Sequence, residues 1–454
     1  MPNNLKTPED ILRVIKDDKI QMIDLRFTDL TGRWQHFSVP ACNFGLESFE
    51  DGVEFDGSSI RGFHEIQEPE MLVIPDPASP FLDPFSDKRT LALICNIRDP
   101  VTGQMYTRDP RFIAQKAEAY LQSIQMGDAA YFGPILEHFV FDQVRCDQST
   151  NYDYYEIDGT DTDWSAARHS EPSTGPVSAS KAPYLVSVPP ADLLQDVRTQ
   201  MVGILEKIGI GVEARHEGIQ SVTDMRFATL TRMADNVMIL KYVVKKVARQ
   251  RGMAATFMPR PLFGHNGSGM YVPQSIWWKE RPLFAGDGYA GSSALMRHYM
   301  AGLLEHAPAL LALSAPTVNS YRRLAPGFEA PVHLGFSQRN RSMACRIPSG
   351  ASSPNEKRVE FRCADPSCNA YLAFAAMLMA GIDGFDNRYD PGQPIDKNLY
   401  DLPPDELARI PCAPGSLEEA LDALEADNAF LLKGDVFTPD VIETYLSYKR
   451  TAKR

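Results

Sequence analysis

The spacing of apolar residues changes near Asp99-Pro100, and that change limits the fold more than any other feature of the chain. Before it, residues 22–27 and 34–39 alternate apolar and polar, as half-buried strands do, about a turn at Asp29-Leu30-Thr31-Gly32. Residues 90–97 form a third strand-like run, and residues 7–17 carry Ile11, Leu12 and Ile15 on one face of a short helix. After Thr107 the apolar residues return every three or four positions, the period of an amphipathic helix. Helices are predicted at 112–123, 192–208, 233–250, 293–313, 371–382 and 417–432, with a strand at 131–141. A last helix starts with Thr438 as cap and Pro439 in its first turn, where the missing N–H goes unused. The fold class is therefore α+β, with a small β-rich unit over residues 1–104 and a larger mixed unit over 105–454. Two stretches rich in Ser, Asp, Gly and Pro, 147–183 and 386–414, read as loops.

Composition excludes several classes of function. Hydrophobic residues at 44% and charged ones at 23% give ordinary globular material for a sizeable core. The formal net charge of -13 argues against a nucleic-acid backbone or an anionic membrane as partner. The longest apolar stretch, 300–315, is interrupted by Glu305 and His306, so no membrane span is expected. The N-terminus lacks a basic segment followed by an apolar one, so no secretory leader is expected. Seven cysteines without CxxC spacing point to a reduced, cytoplasmic setting rather than to a disulfide framework or a zinc site.

Ten short segments occur in one order. They are Phe55-Asp56-Gly57-Ser58-Ser59-Ile60, Phe132-Gly133-Pro134, Val188-Pro189-Pro190, Ala255-Thr256-Phe257-Met258-Pro259 and Asn266-Gly267-Ser268-Gly269-Met270. Asn319-Ser320-Tyr321-Arg322-Arg323-Leu324, Pro326-Gly327-Phe328-Glu329-Ala330-Pro331, Arg339-Asn340-Arg341-Ser342, Arg358-Val359-Glu360-Phe361-Arg362 and Lys397-Asn398-Leu399-Tyr400-Asp401-Leu402-Pro403-Pro404 complete the set. Each alone is a common turn or loop, but together they resemble glutamine synthetase of the bacterial type, from about residue 8 to residue 450. The resemblance implies an N-terminal β-grasp domain and a catalytic domain with a curved antiparallel sheet. It also implies a homo-oligomer, a ring of six subunits in which the Asp56 and Ser59 loop of one closes the active site of the next. Such enzymes phosphorylate the γ-carboxylate of glutamate with ATP and let ammonia displace the phosphate.

By the same resemblance, Arg323 holds the substrate carboxylate or the transferring phosphoryl group, and Arg341 and Arg346 hold nucleotide phosphates. Arg362, two residues after Glu360 and so on the same face of a strand, serves the acyl phosphate. Glu329 matches the glutamate that deprotonates ammonium, Asn266 and Gly267 the amino-acid loop, and Ser275 a serine near the nucleotide. Asp56 joins this set from the neighbouring subunit. Trp277 and Trp278 either line the pocket or fill the core, and Tyr400 sits in a loop like the one that some bacterial members adenylylate. The chain stops soon after its last helix, without the His-Pro tail that links stacked rings in the family, so weak or different stacking is expected.

The metal positions depart from the family. Glu137, Glu217 and Glu360 match metal ligands, whereas Ile135, Val222 and Tyr271 stand where the family has two glutamates and a histidine. Pro273 replaces a second histidine, Asp224 is the one carboxylate near Val222, and His138 falls on the other face of its strand. Magnesium needs only one or two carboxylates plus phosphate and water, so ATP with one Mg2+ ion at most is expected. From this follow two expectations. The first is a divergent ATP-dependent ligase joining a glutamate-like acid to an amine other than ammonia, with ordinary glutamine synthesis doubtful. The second is an inactive homologue that binds a metabolite or assembles with an active paralogue.

Overall fold

The computed structural model describes residues 6–60, 62, 70–158, 188–189, 192–217, 220–325, 330–350, 353–397, 399, 404–407 and 409–451; for Gln148 and Glu217 it describes the backbone alone. A first sheet holds β1 (Met22–Thr28), β2 (Trp34–Pro40), β3 (Val53–Asp56), β4 (Glu70–Pro75), β5 (Phe81–Leu82) and β6 (Thr90–Arg98), in the order β2-β1-β6-β4-β3 with β5 on β6. β1 runs parallel to β6 and antiparallel to β2, and the helix Pro8–Asp17 packs Ile11 into its core. That helix starts on a capping box, in which the Thr7 hydroxyl accepts from Asp10 N and the Asp10 carboxylate accepts from Thr7 N, each at 3.3 Å.

The second sheet comprises β7 (Ala129–Phe132), β8 (Ile135–Phe141), β11 (Val212–Glu217), β12 (Gln220–Met225), β13 (Ala228–Thr229), β14 (Ala254–Thr256), β15 (Met270–Trp278), β16 (Arg281–Pro282), β17 (His333–Ser337), β18 (Met343–Arg346) and β19 (Val359–Phe361). Its main path is β11-β12-β8-β15-β19-β18-β17, antiparallel except for the β17–β18 pair. β9 (Gln143–Ser149) and β10 (Tyr152–Asp158) form a separate hairpin. Behind the sheet lies the helix Ala370–Asp386, buried from Ala370 to Gly384, with Phe374 stacked on Phe132 at 5.1 Å. Burying a side chain the size of Phe374 contributes about 1.5–3 kcal/mol.

The sheets are tied together by buried polar contacts. The Arg26 guanidinium sits among the rings of Trp34, Phe81 and Tyr242 and bonds Asp24, while Tyr242 donates to Asp83 at 2.7 Å. Asn369 Nδ2 donates to the carbonyls of Asp29 and Leu30 at the turn between β1 and β2.

Four expectations about elements are corrected. The 131–141 strand is two strands, because Gly133-Pro134 interrupts it and proline offers no N–H to a ladder. The 293–313 helix is two helices, Ala294–Glu305 and Ala307–Ser314, with Pro308 at the start of the second. The 417–432 helix divides at Asn428, whose side chain bonds the carbonyls of Leu424 and Glu425 and closes the first half. The 147–183 loop begins as the β9–β10 hairpin, and its later residues lie outside the described ones. No helix among the described residues is long and apolar enough to cross a membrane.

Candidate active site

Strand register brings the separated sequence positions onto one face of the larger sheet. Arg346 of β18 pairs with Glu360 of β19, and Glu360 with Pro273 of β15. Two residues back along β15, Tyr271 pairs with Ile135 of β8. Two residues on along β8, Glu137 pairs with Val222 of β12, which pairs with Arg215 of β11. Side chains two apart on a strand share a face, so Ser275, Asp224 and the register position of Glu217 belong to it as well. All six of the positions that the resemblance assigns to metal ligands, kept and replaced, fall within this one row.

Each described carboxylate on the face already has a protein partner. Glu360 Oε1 accepts from Arg362 Nη1 at 2.5 Å, and its Oε2 lies 3.7 Å from Arg346 Nη2. Glu137 Oε2 accepts from the Gly269 N–H at 2.6 Å, and the Tyr271 hydroxyl bonds the same carboxylate. Asp224 is held by Arg215. The Arg362 guanidinium stacks 4.1 Å from the centre of the Tyr271 ring, and its Nε donates to the Arg341 carbonyl at 3.1 Å. Burial works against the charge of Arg362, but Tyr271 and Glu360 more than offset it, so its pKa is raised. Burial, and then the Glu137 carboxylate, push the Tyr271 phenol well above its ordinary value. Both groups therefore hold their protons at any working pH.

Arg323 lies beneath this face. It donates from Nη1 to the carbonyls of Cys363 and Ala364 and from Nη2 to that of Arg362, at 3.0–3.2 Å. Its side chain fits because Gly267 and Gly269 lack Cβ: an added Cβ would meet Arg323 Cγ at 2.9 Å and Nη2 at 2.4 Å. Gln220 Nε2 donates to the Gly267 carbonyl at 3.1 Å and so holds the Asn266-Gly267 loop from β12.

Whether the residues fit divalent ions differs between the two ends of the row. Around Glu360 they do not, because Ile135 and Tyr271 bring no charged ligand and both carboxylate oxygens face arginines. Around Glu137 they fit one ion, since a buried carboxylate there, the backbone position of Glu217 on the same face and substrate oxygens make a sufficient donor set for magnesium. No group of three metal-ligating side chains occurs among the described residues.

Other predicted residues are placed as follows. Asp56 is exposed at the end of β3, and its carboxylate accepts from Ser58 N and Ser58 Oγ, which holds its pKa low. Ser275 is buried and accepts from Trp277 Nε1 at 3.0 Å, and the Trp277 ring meets that of Tyr131 edge-on at 5.7 Å. Arg341 is exposed beside Arg362. His138 faces away as expected, against the Phe257 ring at 5.2 Å. Glu329 and Tyr400 lie outside the described residues. Arg358 was not singled out, although it stands two residues before Glu360 and alternation alone assigns it to the same face. Arg215 and Gln220 were also missed; their roles come from cross-strand pairing, which has no local signal.

Residues 107–453 match the family described as glutamine synthetase, catalytic domain, and residues 19–100 match glutamine synthetase, beta-Grasp domain. The chain is 54% identical to a glutamine synthetase of Frankia alni over 97% of this chain and 94% of that one. It is 49% identical to a glutamine synthetase of Microchaete diplosiphon over 98% of this chain and 95% of that one. The structure resembles that of Plasmodium falciparum glutamine synthetase solved by cryo-electron microscopy, with TM-score 0.89, 25% identity, and 99% and 96% of the two chains covered.

These relatives overturn the linked expectations that glutamine synthesis is doubtful, that the amine is something other than ammonia, and that the chain is an inactive binding or assembly subunit. Full-length chains about half identical to this one carry the name glutamine synthetase. They also give no support to a degenerate metal site. The expectations gave too much weight to Ile135, Val222 and Tyr271. The face that these residues share is filled with protein cations and donors paired to its acids, and so is not a set of stranded carboxylates.

Proposed function

Because the chain belongs to the glutamine synthetase family, we propose that it joins ammonia to glutamate with ATP, forming glutamine, ADP and phosphate. What carries the proposal is the full-length likeness to chains named glutamine synthetase at about half identity. The sheet face supplies the chemistry. A γ-carboxylate oxygen of glutamate attacks the terminal phosphorus of ATP, and the bond to ADP breaks. Ammonia then attacks the acyl carbon, and phosphate leaves with the C–O bond electrons.

Both steps concentrate negative charge on phosphoryl oxygens, which preorganised guanidinium groups stabilise without reorganising. Arg362, fixed by Glu360 and by the Tyr271 ring, is aimed at the acyl phosphate; Arg341 and Arg346 take the nucleotide phosphates. Arg323 spends its described donors on carbonyls of residues 362–364, so in this chain its part is to hold the strand that carries Arg362. Asn266 and Gly267 bind the amino acid, Glu329 takes a proton from ammonium, and Asp56 and Ser59 serve the site of a neighbour in a homo-oligomeric ring. Glu137 and Glu217 would hold one magnesium ion, which supplies charge neutralisation at the nucleotide phosphates. We also infer a cytoplasmic setting and a domain boundary between residues 104 and 105, the latter supported by the two family matches over 19–100 and 107–453.

Steady-state release of ADP tests this, with the full chain supplied with ATP, magnesium, glutamate and ammonium. Release that requires both glutamate and ammonium is expected. Release that ignores ammonium, or that appears only with another amine, would rule the proposal out.

A further inference from the structure

Four guanidinium groups and a single described carboxylate meet at the β18–β19 end of the face. Arg346 is pressed by Arg362, Arg341 and Arg358, against the one acid Glu360. Its Nε is buried and has no hydrogen-bond partner among the described residues. An excess of positive charge with an unused buried donor is stable only if an anion completes it, since an unsatisfied buried donor costs about 1–3 kcal/mol. Arg362 cannot swing away to relieve the crowding, because its Nε, its Nη1 and its flat face are each engaged, by the Arg341 carbonyl, Glu360 and Tyr271.

We infer that Arg362, clamped between Tyr271 and Glu360, is a built-in cation that does at this end of the face what a second divalent ion would otherwise do. With Arg346, Arg341 and Arg358 it makes a site for a phosphoryl or polyphosphate anion that needs no metal. The inference deepens the proposed function, since the anion there would be the phosphate chain of the nucleotide or the transferred phosphate. Tyr271 is then a positioning residue. Its ring fixes the guanidinium plane, and its hydroxyl keeps the neighbouring Glu137 from pairing with Arg362 instead.

Pyrophosphate is the probe, titrated by calorimetry into the full-length protein in excess EDTA. Binding in EDTA is expected, weakened about tenfold in Arg346→Gln, the usual consequence of losing one charge-assisted hydrogen bond. Arg346 is part-exposed, so this variant keeps the test open if the buried Arg362→Gln fails to fold. Binding that vanishes in EDTA and returns with magnesium would overturn the inference. A second readout counts tightly held Mn2+ by electron paramagnetic resonance without nucleotide. At most one ion per chain is expected, and two would overturn the inference. A folded Ile135→Glu, Tyr271→His double variant should hold one more ion than the parent, and no gain would also count against it. Neither readout involves turnover, so failure to make glutamine would remove the proposed function and leave this inference to stand or fall alone.

Discussion

Glu137 and His138 are neighbours on β8, and they belong to opposite worlds. On one face the Gly269 N–H and the Tyr271 hydroxyl meet the Glu137 carboxylate, and beside it Asp224 has Arg215 and Glu360 has two arginines. On the other face His138 pairs by register with Ser221, and Ser221 with His216. There the two His138 nitrogens and the Ser221 hydroxyl have no hydrogen-bond partner among the described residues. Burial, helped by the nearby Arg198, pushes the His138 pKa down to about 3. One face thus tolerates charge by pairing it, and the other tolerates polarity by staying neutral. Only the first arrangement presents fixed guanidinium groups to a ligand.

Breaking the paired face should have the largest effect. Arg362→Leu leaves Glu360 buried with only the longer contact to Arg346, and removal of one partner of a buried pair costs about 3–5 kcal/mol. Urea unfolding should show that loss together with loss of ADP release, and a change within about 0.5 kcal/mol would show the pair is not structural. Gly269→Ala comes next, since its Cβ would lie 2.4 Å from Arg323 Nη2 and displace the donor to Glu137. A destabilisation of about 1–3 kcal/mol is expected, with a fall in activity larger than in a Gly350→Ala control.

The neutral face is probed by acid. The folded pKa of His138 lies near 3, below the unfolded value of about 6.5, so the unfolded chain binds a proton that the folded one refuses. This contribution is complete above pH 6.5, falls through the window between the two values, and amounts to roughly 2 kcal/mol lost by pH 5. His138→Phe should flatten that part of the stability profile, and an unchanged slope would mean that another group titrates. The smallest effect is expected for Tyr271→Phe, which removes only the hydroxyl on Glu137 and costs about 1 kcal/mol while leaving the ring against Arg362. Phosphate affinity should fall modestly in Tyr271→Phe, which frees Glu137 to pair with Arg362, and further in Tyr271→Ala, which also removes the ring.

Much of this arrangement is legible before any coordinates. Alternation alone puts Ile135 with Glu137, turns His138 away, and groups Arg358, Glu360 and Arg362. The end of the 192–208 helix at Gly209 and the start of the last helix at Pro439 are local signals, and both stand. What cannot be read is which strand lies beside which. Arg215 meeting Asp224 and Tyr271 lying over Arg362 depend on cross-strand register between segments far apart in sequence. For the same reason the replaced ligands looked like losses when counted singly, whereas in the sheet each stands next to a cation or donor that changes what its loss means.

The most direct test of glutamine synthesis on this face is nitrogen-15 NMR of the full-length protein turning over ATP, glutamate and 15N-ammonium. Growth of the glutamine side-chain amide signal, at a rate that matches ADP release, is the expected result. ADP release with no labelled amide would contradict it.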